Sequence, residues 1–200
     1  MESRLRALIL LNAFKNRTKL QIITLLLKNG PMTVTQISRF VKTTRSNLYQ
    51  TIKDLTDDGV VVLKKSKVTK NYVEKFYGIN LDLFESVSNT EIEEAITKLG
   101  AQDLKDLIIS YLLASSFILR VLSEEVSFLN ENEIEHYRKL IISGKIIMSF
   151  STFPESLAEP FFKVFSDYMK SIESKGKGEK DKYFLSVSMF PLFSVNAEKL

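Results

Sequence analysis

Apolar residues recur at helical spacing from the beginning of the chain. The segment Leu5–Phe14 is apolar at positions 5, 8, 9, 11 and 14, which predicts an amphipathic helix. Asn16-Arg17-Thr18 interrupts it, and Lys19–Lys28 predicts a second helix rich in Leu and Ile. Asn29-Gly30-Pro31 then ends this helix, because glycine suits the C′ position and proline cannot continue a helix.

Two short helices joined by a tight turn are predicted next. Thr33 begins the first helix with a capping box, since Gln36 lies three residues on, and this helix should end near Lys42. The second helix begins at Thr43 or Thr44 and covers about residues 44–58. Its inner face is apolar at positions i, i+4 and i+7, which are Leu48, Ile52 and Leu55. This arrangement is a helix-turn-helix pattern.

A strand, a basic loop and a second strand follow the helix pair. Val60–Leu63 is a β-branched run, and Tyr72–Ile79 is a second strand-like segment. The residues between them, 64–71, are polar, basic and turn-forming. This order predicts a wing, so residues 1–88 are expected to form a winged helix-turn-helix domain.

The remaining residues, 89–200, are predicted to form a helical or α+β domain for dimerisation and effector binding. Thr90 and Glu93 offer a capping box, Ala101–Leu129 predicts one long helix, and Glu131–Ile142 predicts a shorter one. The centre of the long helix is apolar nearly all round. Packing against a second subunit and burial in an intramolecular core explain this about equally well.

The C-terminal part predicts a strand, a helix and a strand. Alternating residues predict strands at 146–151 and 183–190, and Pro154 opens a helix that runs to about Glu173. The segment 175–182 is a charged loop. The predicted fold class is therefore mostly α with a small β component.

The composition removes most enzyme classes. The chain has no cysteine and a single histidine, His136, which excludes disulfides, thiolate metal sites, cysteine nucleophiles and His–His metal pairs. We therefore expect a protein that is not an enzyme and holds no cofactor or metal. The aromatic residues of the C-terminal part leave open a pocket for a small apolar effector, although a plain core is the commoner use of such residues.

No segment predicts a secretory signal or a membrane span. The longest uncharged apolar run, Leu107–Leu119, has 13 residues, whereas a spanning helix needs about 20. We expect a cytoplasmic protein with no membrane partner.

The net charge of +4 hides an asymmetry between the two halves of the chain. Residues 1–88 contain 15 Lys and Arg against 7 Asp and Glu, a net charge of +8, whereas residues 89–200 carry a net charge of −4. This asymmetry favours a polyanion as the partner of the first half alone.

Side chains on the outer face of the second helix favour reading of bases in double-stranded DNA. Arginine pairs with guanine, and Asn or Gln with adenine, in the major groove, where recognition helices insert their N-terminal residues. A generic solvated face would carry more Glu and Lys. The residues of this helix predicted to contact DNA are Thr44, Arg45, Ser46, Asn47, Tyr49, Gln50 and Lys53.

Four lysines cluster in the predicted wing loop: Lys64, Lys65, Lys67 and Lys70. They can contact the DNA backbone or the adjacent minor groove, which positions a protein without reading sequence. A solvated hairpin tip is the alternative. The density of lysines directly after a recognition-type helix favours DNA.

Four segments carry a resemblance to a known family: Phe14–Leu26, Met32–Ser38, Asn47–Val61 and Val73–Ile79. The first three are similar to ArsR-like winged-helix regulators, and the fourth resembles the second wing strand in archaeal members. The resemblance implies a homodimer that binds a near-palindromic operator, usually as a repressor. The Cys and His ligands of metal-sensing members have no counterpart here, so metal sensing is not expected.

The leading hypothesis is thus a homodimeric, sequence-specific transcription regulator. An architectural DNA-binding protein of low sequence specificity and a winged helix used for protein assembly are the alternatives. The side chains of Arg45, Asn47 and Gln50 favour the first hypothesis, because they can distinguish bases.

Overall fold

The elements of the computed structural model occur in nearly the predicted order. The structure describes residues 2–69, 72–143 and 155–175. This part of the chain is mostly helical with one small antiparallel sheet, as predicted. The elements are α1 (Glu2–Phe14), α2 (Arg17–Asn29), β1 (Met32–Thr33), α3 (Val34–Ile37), α4 (Arg45–Asp57), β2 (Val61–Thr69), β3 (Tyr72–Ile79), α5 (Leu81–Glu85), α6 (Asn89–Ile96), α7 (Ala101–Val126), α8 (Glu131–Ile142), a 3₁₀ turn (Glu155–Leu157) and α9 (Ala158–Lys175).

Local capping interactions fix both ends of α2. The Asn16 side chain accepts a hydrogen bond from the Lys19 backbone N–H at 3.0 Å. At the other end Gly30 takes φ 73°, a left-handed conformation that favours glycine, and its N–H donates to the Leu26 carbonyl at 2.9 Å. The helix end predicted at Gly30 is confirmed.

The helix α3 begins as predicted but is much shorter. The reciprocal capping box between Thr33 and Gln36 is present. The helix ends at Ile37 rather than near Lys42. Although the N–H groups of Ser38 and Val41 bond four residues back, those of Arg39 and Phe40 bond three residues back, to the Gln36 and Ile37 carbonyls. This tighter winding turns the chain towards α4.

The three strands pair in the order β1–β3–β2, all antiparallel. The two-residue strand β1 was not predicted, since it pairs Met32 with Tyr77 and Thr33 with Phe76 across a long stretch of chain. Strand β2 extends to Thr69, so the prediction of a loop from residue 64 is wrong. Pairing with β3 holds these residues in an extended conformation.

One hydrophobic core joins the helix-turn-helix, the sheet and α7. The helices α2, α3, α4 and the strand β2 contribute fully buried residues, among them Leu25, Ile37, Leu48, Leu55 and Val61. Helix α7 adds Phe117, Ile118 and Val121 to the same cluster. Residues 1–128 accordingly form one compact unit. The functional division at residues 88 and 89 stays a prediction.

Two connecting helices precede α7. Helix α5 was not predicted. Helix α6 begins with a capping box of Ser88 and Glu91 rather than Thr90 and Glu93, so that prediction is wrong by two residues. Ser88 is the better cap, because its extended backbone directs the hydroxyl at the first turn of the helix.

Residues 129–200 form the second unit, of which the structure describes α8, the 3₁₀ turn and α9. Helix α8 has the bounds predicted for it and begins with a capping box of Asn130 and Glu133. In α9 the rings of Phe161 and Phe165 stack with centroids 6.1 Å apart. The strands predicted at 146–151 and 183–190, and nearly all of the charged loop, lie outside the described residues.

By length and composition alone, α7 is a helix that could cross a membrane, and 28% of its most apolar window is buried. This is weak evidence, because core helices of globular proteins pass the same criterion. One face of α7 packs in the core of the first unit. The expectation of no membrane partner stays a prediction.

Candidate nucleic-acid interface

Helix α4 presents one buried face and one polar, exposed face. Leu48, Ile52 and Leu55 are buried as predicted, and Thr51 is buried beside them, with its hydroxyl donating to the Asn47 carbonyl at 2.7 Å. The predicted DNA-contacting side chains of this helix and its cap are all exposed: Thr44, Arg45, Ser46, Asn47, Tyr49, Gln50 and Lys53. The structure therefore brings them together on one surface.

Thr44 determines where the exposed face begins. Its backbone is extended and its hydroxyl accepts a hydrogen bond from the Asn47 N–H at 3.3 Å, which makes it the N-cap of α4. Arg45 is the first residue of the helix, and Tyr49 lies one turn further on. The Arg45 guanidinium lies 5.8 Å from the centroid of the Tyr49 ring, a cation–π contact. Because the Tyr49 ring is itself 48% exposed, the contact supports the guanidinium without burying it.

The two amide side chains on this face are oriented by neighbours four residues away in the sequence. Nδ2 of Asn47 donates to Oγ1 of Thr43 at 2.6 Å, and Nε2 of Gln50 donates to Oδ1 of Asp54 at 2.6 Å. Each amide nitrogen has two hydrogens, so each side chain keeps one donor and its carbonyl oxygen. One donor and one acceptor are what a bidentate contact with adenine requires.

The acidic residues at the end of α4 have partners or positions away from its front. Asp58, the C-cap residue, forms an ion pair with Lys19 of α2 at 3.0 Å, and Asp54 holds Gln50. The Lys19–Asp58 pair links the end of α4 to α2. Because it is half-exposed, we assign it only about 0–1 kcal/mol of stability.

The predicted wing lysines lie on a strand rather than on a loop. Lys64, Lys65 and Lys67 are exposed residues of β2, and Lys70 lies outside the described residues. The pairing of β2 with β3 shifts at Lys64: Leu63 faces Tyr77, whereas Lys65 already faces Phe76. This irregularity is a β-bulge, which changes the direction of the side chains that follow it.

Aromatic and glycine neighbours hold two of these lysines in place. Nζ of Lys65 lies 4.4 Å from the centroid of the Phe76 ring. The side chain of Lys64 passes over Gly78, where a Cβ would lie 2.9 Å from Cγ of Lys64. Gly78 is thus needed for this close approach rather than for an unusual φ.

A cavity of about 480 Å³ lies between α4 and β3. Its walls include Tyr49, Gln50 and Lys53 from the exposed face of α4, and Tyr77 from the sheet. Tyr77 was not predicted as part of the site, because a strand pattern does not show whether an aromatic side chain lies in the core or in a surface groove. The sequence predicts Thr43 only as a possible start of the helix. Its spacing of four residues from Asn47 is the signal that could have identified it as a partner.

Within the described part of the chain, no group of three or more His, Cys, Asp or Glu residues could hold a metal ion.

Comparisons with known proteins agree with this geometry. Residues 15–62, from the end of α1 to the start of β2, match a family model described as winged helix-turn-helix DNA-binding. No curated protein matches the chain. The chain is similar to the solved structure of HlyU from Vibrio cholerae N16961, at 26% identity over 45% of this chain and 84% of that one, with a TM-score of 0.31. The assignment rests on the family match and on the elements described above: the chain carries a winged helix-turn-helix DNA-binding domain.

Proposed function

We propose that the protein is a sequence-specific transcription regulator that binds operator DNA as a homodimer. The observation that carries the proposal is the front of α4, where Arg45, Asn47 and Gln50 are exposed. Each is also held by a neighbour: Arg45 by the Tyr49 ring, Asn47 by Thr43 and Gln50 by Asp54. Such a surface can distinguish bases, because arginine pairs with guanine and the two amides pair with adenine.

The strand lysines have the complementary task of binding the DNA backbone. Lys64, Lys65 and Lys67 add positive charge beside the recognition helix and carry no base-specific groups. Each phosphate that they neutralise should contribute about 0.9 to the slope of log affinity against log salt concentration. Affinity for any duplex should therefore fall steeply with salt.

A stripe along α7 supports the homodimer. The stripe consists of Leu104, Ile108, Tyr111, Ser115, Leu119, Leu122 and Val126. Ser115 is its centre, and the other residues lie 4, 7 and 11 positions before and after it. Apart from Ser115 these residues are large and apolar, and most of them are exposed. Intervals of three and four residues place them on one face of the helix. The order of these intervals is the same in both directions from Ser115. The stripe of a second, antiparallel copy of α7 can therefore pair with this one residue by residue.

The mode of regulation follows from the family resemblance. ArsR-like regulators usually repress, so we propose that this protein represses transcription by occupying a near-palindromic operator. A homodimer matches such an operator, because the two-fold symmetry of the protein mirrors that of the site. The proposed place of action is the cytoplasm.

The experiment that tests this proposal selects operators from genomic fragments and measures affinity by fluorescence anisotropy. The purified full chain should bind selected duplexes more tightly than random ones, by about a thousandfold or more at physiological salt. Combining Arg45→Ala with Gln50→Ala should remove most of that preference while leaving affinity for random duplex within a few fold. The matched control is Lys98→Ala, a change at an exposed cation after α6.

Two results would contradict the proposal. Equal affinity for selected and random duplexes would indicate an architectural protein. Duplex affinity that does not change with either salt or the double substitution would indicate a winged helix used for protein assembly.

A further inference from the structure

A second cavity lies within the first unit, beside the turn that leads to α4. It has a volume of about 320 Å³ and opens between the N-terminal end of α2, the turn that follows α3, and the middle of α7. Three cationic side chains line it, Arg17, Lys42 and Arg120, each from a different one of these elements. No carboxylate is among the described residues of its wall.

Gln21 is the strongest indication that this cavity takes a ligand. It lines the cavity, is only 8% exposed, and its side-chain amide has no hydrogen bond within the described part of the chain. Its amide atoms face open space, because no buried side-chain nitrogen or oxygen among the described residues lacks a hydrogen-bond partner. The Gln21 side chain therefore presents free donors and an acceptor to the cavity. A ligand atom in the cavity would supply the missing partner.

The cations around Gln21 are only partly neutralised by the protein. Arg120 forms an ion pair with Glu124, donates to the Phe40 carbonyl at 3.4 Å and lies 5.6 Å from the Phe117 ring centroid. The side chains of Arg17 and Lys42 form no ion pair or hydrogen bond with the described residues, in contrast to Lys19, which pairs with Asp58. Two cations without a counter-charge and one fixed guanidinium favour a negatively charged ligand.

The backbone at this end of α2 adds donors of the same kind. Arg17 and Thr18 are the first two residues of the helix, so their N–H groups have no partner inside it. Asn16 caps the N–H of Lys19 and leaves these two available. Helix N-termini stabilise oxyanions through such N–H groups and the helix dipole.

Phe40, Leu113 and Phe117 add apolar wall to the cavity, and Thr18 and Ser116 line it as well. Its volume is at the lower end of the range for small-molecule sites, about 300–1,000 Å³. We propose that this cavity binds an oxyanion, a carboxylate or phosphate group, carried by a small organic acid or by the DNA backbone. A ligand seated there would join Arg120 of α7 to Lys42, three residues before α4, and so couple α7 to the recognition helix.

Binding is tested on the full chain without DNA, so the result does not depend on the proposed function. Inorganic phosphate and benzoate are titrated separately, at constant ionic strength, and followed by the ¹⁵N–¹H signals of the Gln21 side-chain amide. At least one probe should shift these signals saturably, because the amide would acquire a hydrogen-bond acceptor. Arg17→Gln combined with Lys42→Gln should weaken that binding about tenfold or more.

The control is Lys98→Gln, which removes an exposed cation that does not line the cavity and should leave binding unchanged. Both changed residues of the double variant are exposed, so its circular dichroism and melting temperature should stay close to those of the unaltered protein. The proposal is overturned if neither probe shifts the Gln21 amide at millimolar concentration. It is also overturned if the folded double variant binds as well as the control.

Competition with DNA identifies which source of the oxyanion is used. If a random duplex displaces the small probe, and Lys42→Gln lowers the salt slope of duplex binding by about 1, a backbone phosphate occupies the cavity. If the probe stays bound beside DNA and changes duplex affinity, the ligand is a free anion that regulates the protein, and DNA must change the probe affinity by the same factor.

Discussion

Gln50 is held by the same kind of hydrogen bond that it would make to a base. Its amide nitrogen donates to Asp54 at 2.6 Å, which fixes the amide plane and leaves one donor and one acceptor facing outward. The Asp54 carboxylate also repels nearby phosphates. We therefore expect Asp54→Ala to raise affinity for random duplex and to lower the ratio of specific to random affinity by about tenfold, equivalent to one lost charge-assisted hydrogen bond.

The matched control for this change is Asp57→Ala. Asp57 is an exposed residue of the same helix and has no hydrogen bond to Gln50. It should raise random affinity to a similar extent and leave the specificity ratio nearly unchanged. Fluorescence anisotropy on one selected and one random duplex measures both quantities. Equal ratios for the two variants would mean that Asp54 acts through charge alone.

Gly78 matters because it has no side chain. A Cβ at this position would lie 2.9 Å from Cγ of Lys64 and 3.3 Å from the Pro31 ring. We expect Gly78→Ala to displace the Lys64 side chain and to lower the free energy of unfolding by about 1–3 kcal/mol, as overpacking does. Urea denaturation gives this value. Gly100→Ala is the comparison, because its Cβ would meet no atom within 4 Å; a loss at Gly100 as large as that at Gly78 would refute a steric cause.

At the scale of the elements, two helix ends with a strong local signal could be predicted, whereas the pairing of the strands could not. The capping box of α3 depends on side chains three residues apart, and the end of α2 depends on Gly30, so the sequence displays both directly. The end of α3 has no such signal and was predicted wrongly. Strand β1 and the bulge at Lys64 depend on partners far along the chain, such as Met32 with Tyr77. Helical periodicity predicts the polar face of α4. It does not predict the hydrogen bonds that orient the amides, because these depend on which side-chain conformations are adopted.

The cap of α4 connects the stability of this element to its use. Thr44 is exposed, and its hydroxyl accepts the Asn47 N–H, so Thr44→Ala should lower the free energy of unfolding by about 0.5–2 kcal/mol. Ser46→Ala, an exposed change inside the same helix, should cost much less, since it removes no cap. Chemical denaturation of both variants provides the comparison. If Thr44→Ala proved no more destabilising than Ser46→Ala, the cap would not be what holds the start of the helix.

At the scale of the whole molecule, the symmetric stripe on α7 makes a definite prediction about how two chains meet. In an antiparallel pair centred on Ser115, Ile108 of one protomer faces Leu122 of its partner, because these residues lie equally far from the centre. In a parallel pair each would face its own copy. Within one helix the two residues are about 21 Å apart and cannot contact each other.

Charge exchange across this stripe distinguishes the two arrangements. Ile108→Glu and Leu122→Lys should each dissociate the dimer, since each buries unpaired charges at the seam. Combined in one chain, they should restore dimerisation in part, because each glutamate then faces a lysine of the partner. Sedimentation velocity measures the monomer fraction, and operator affinity should fall and recover with it, as expected if a dimer binds two half-sites. Single variants that remain dimeric would place the interface elsewhere, and a double variant that stays monomeric would rule out the antiparallel register.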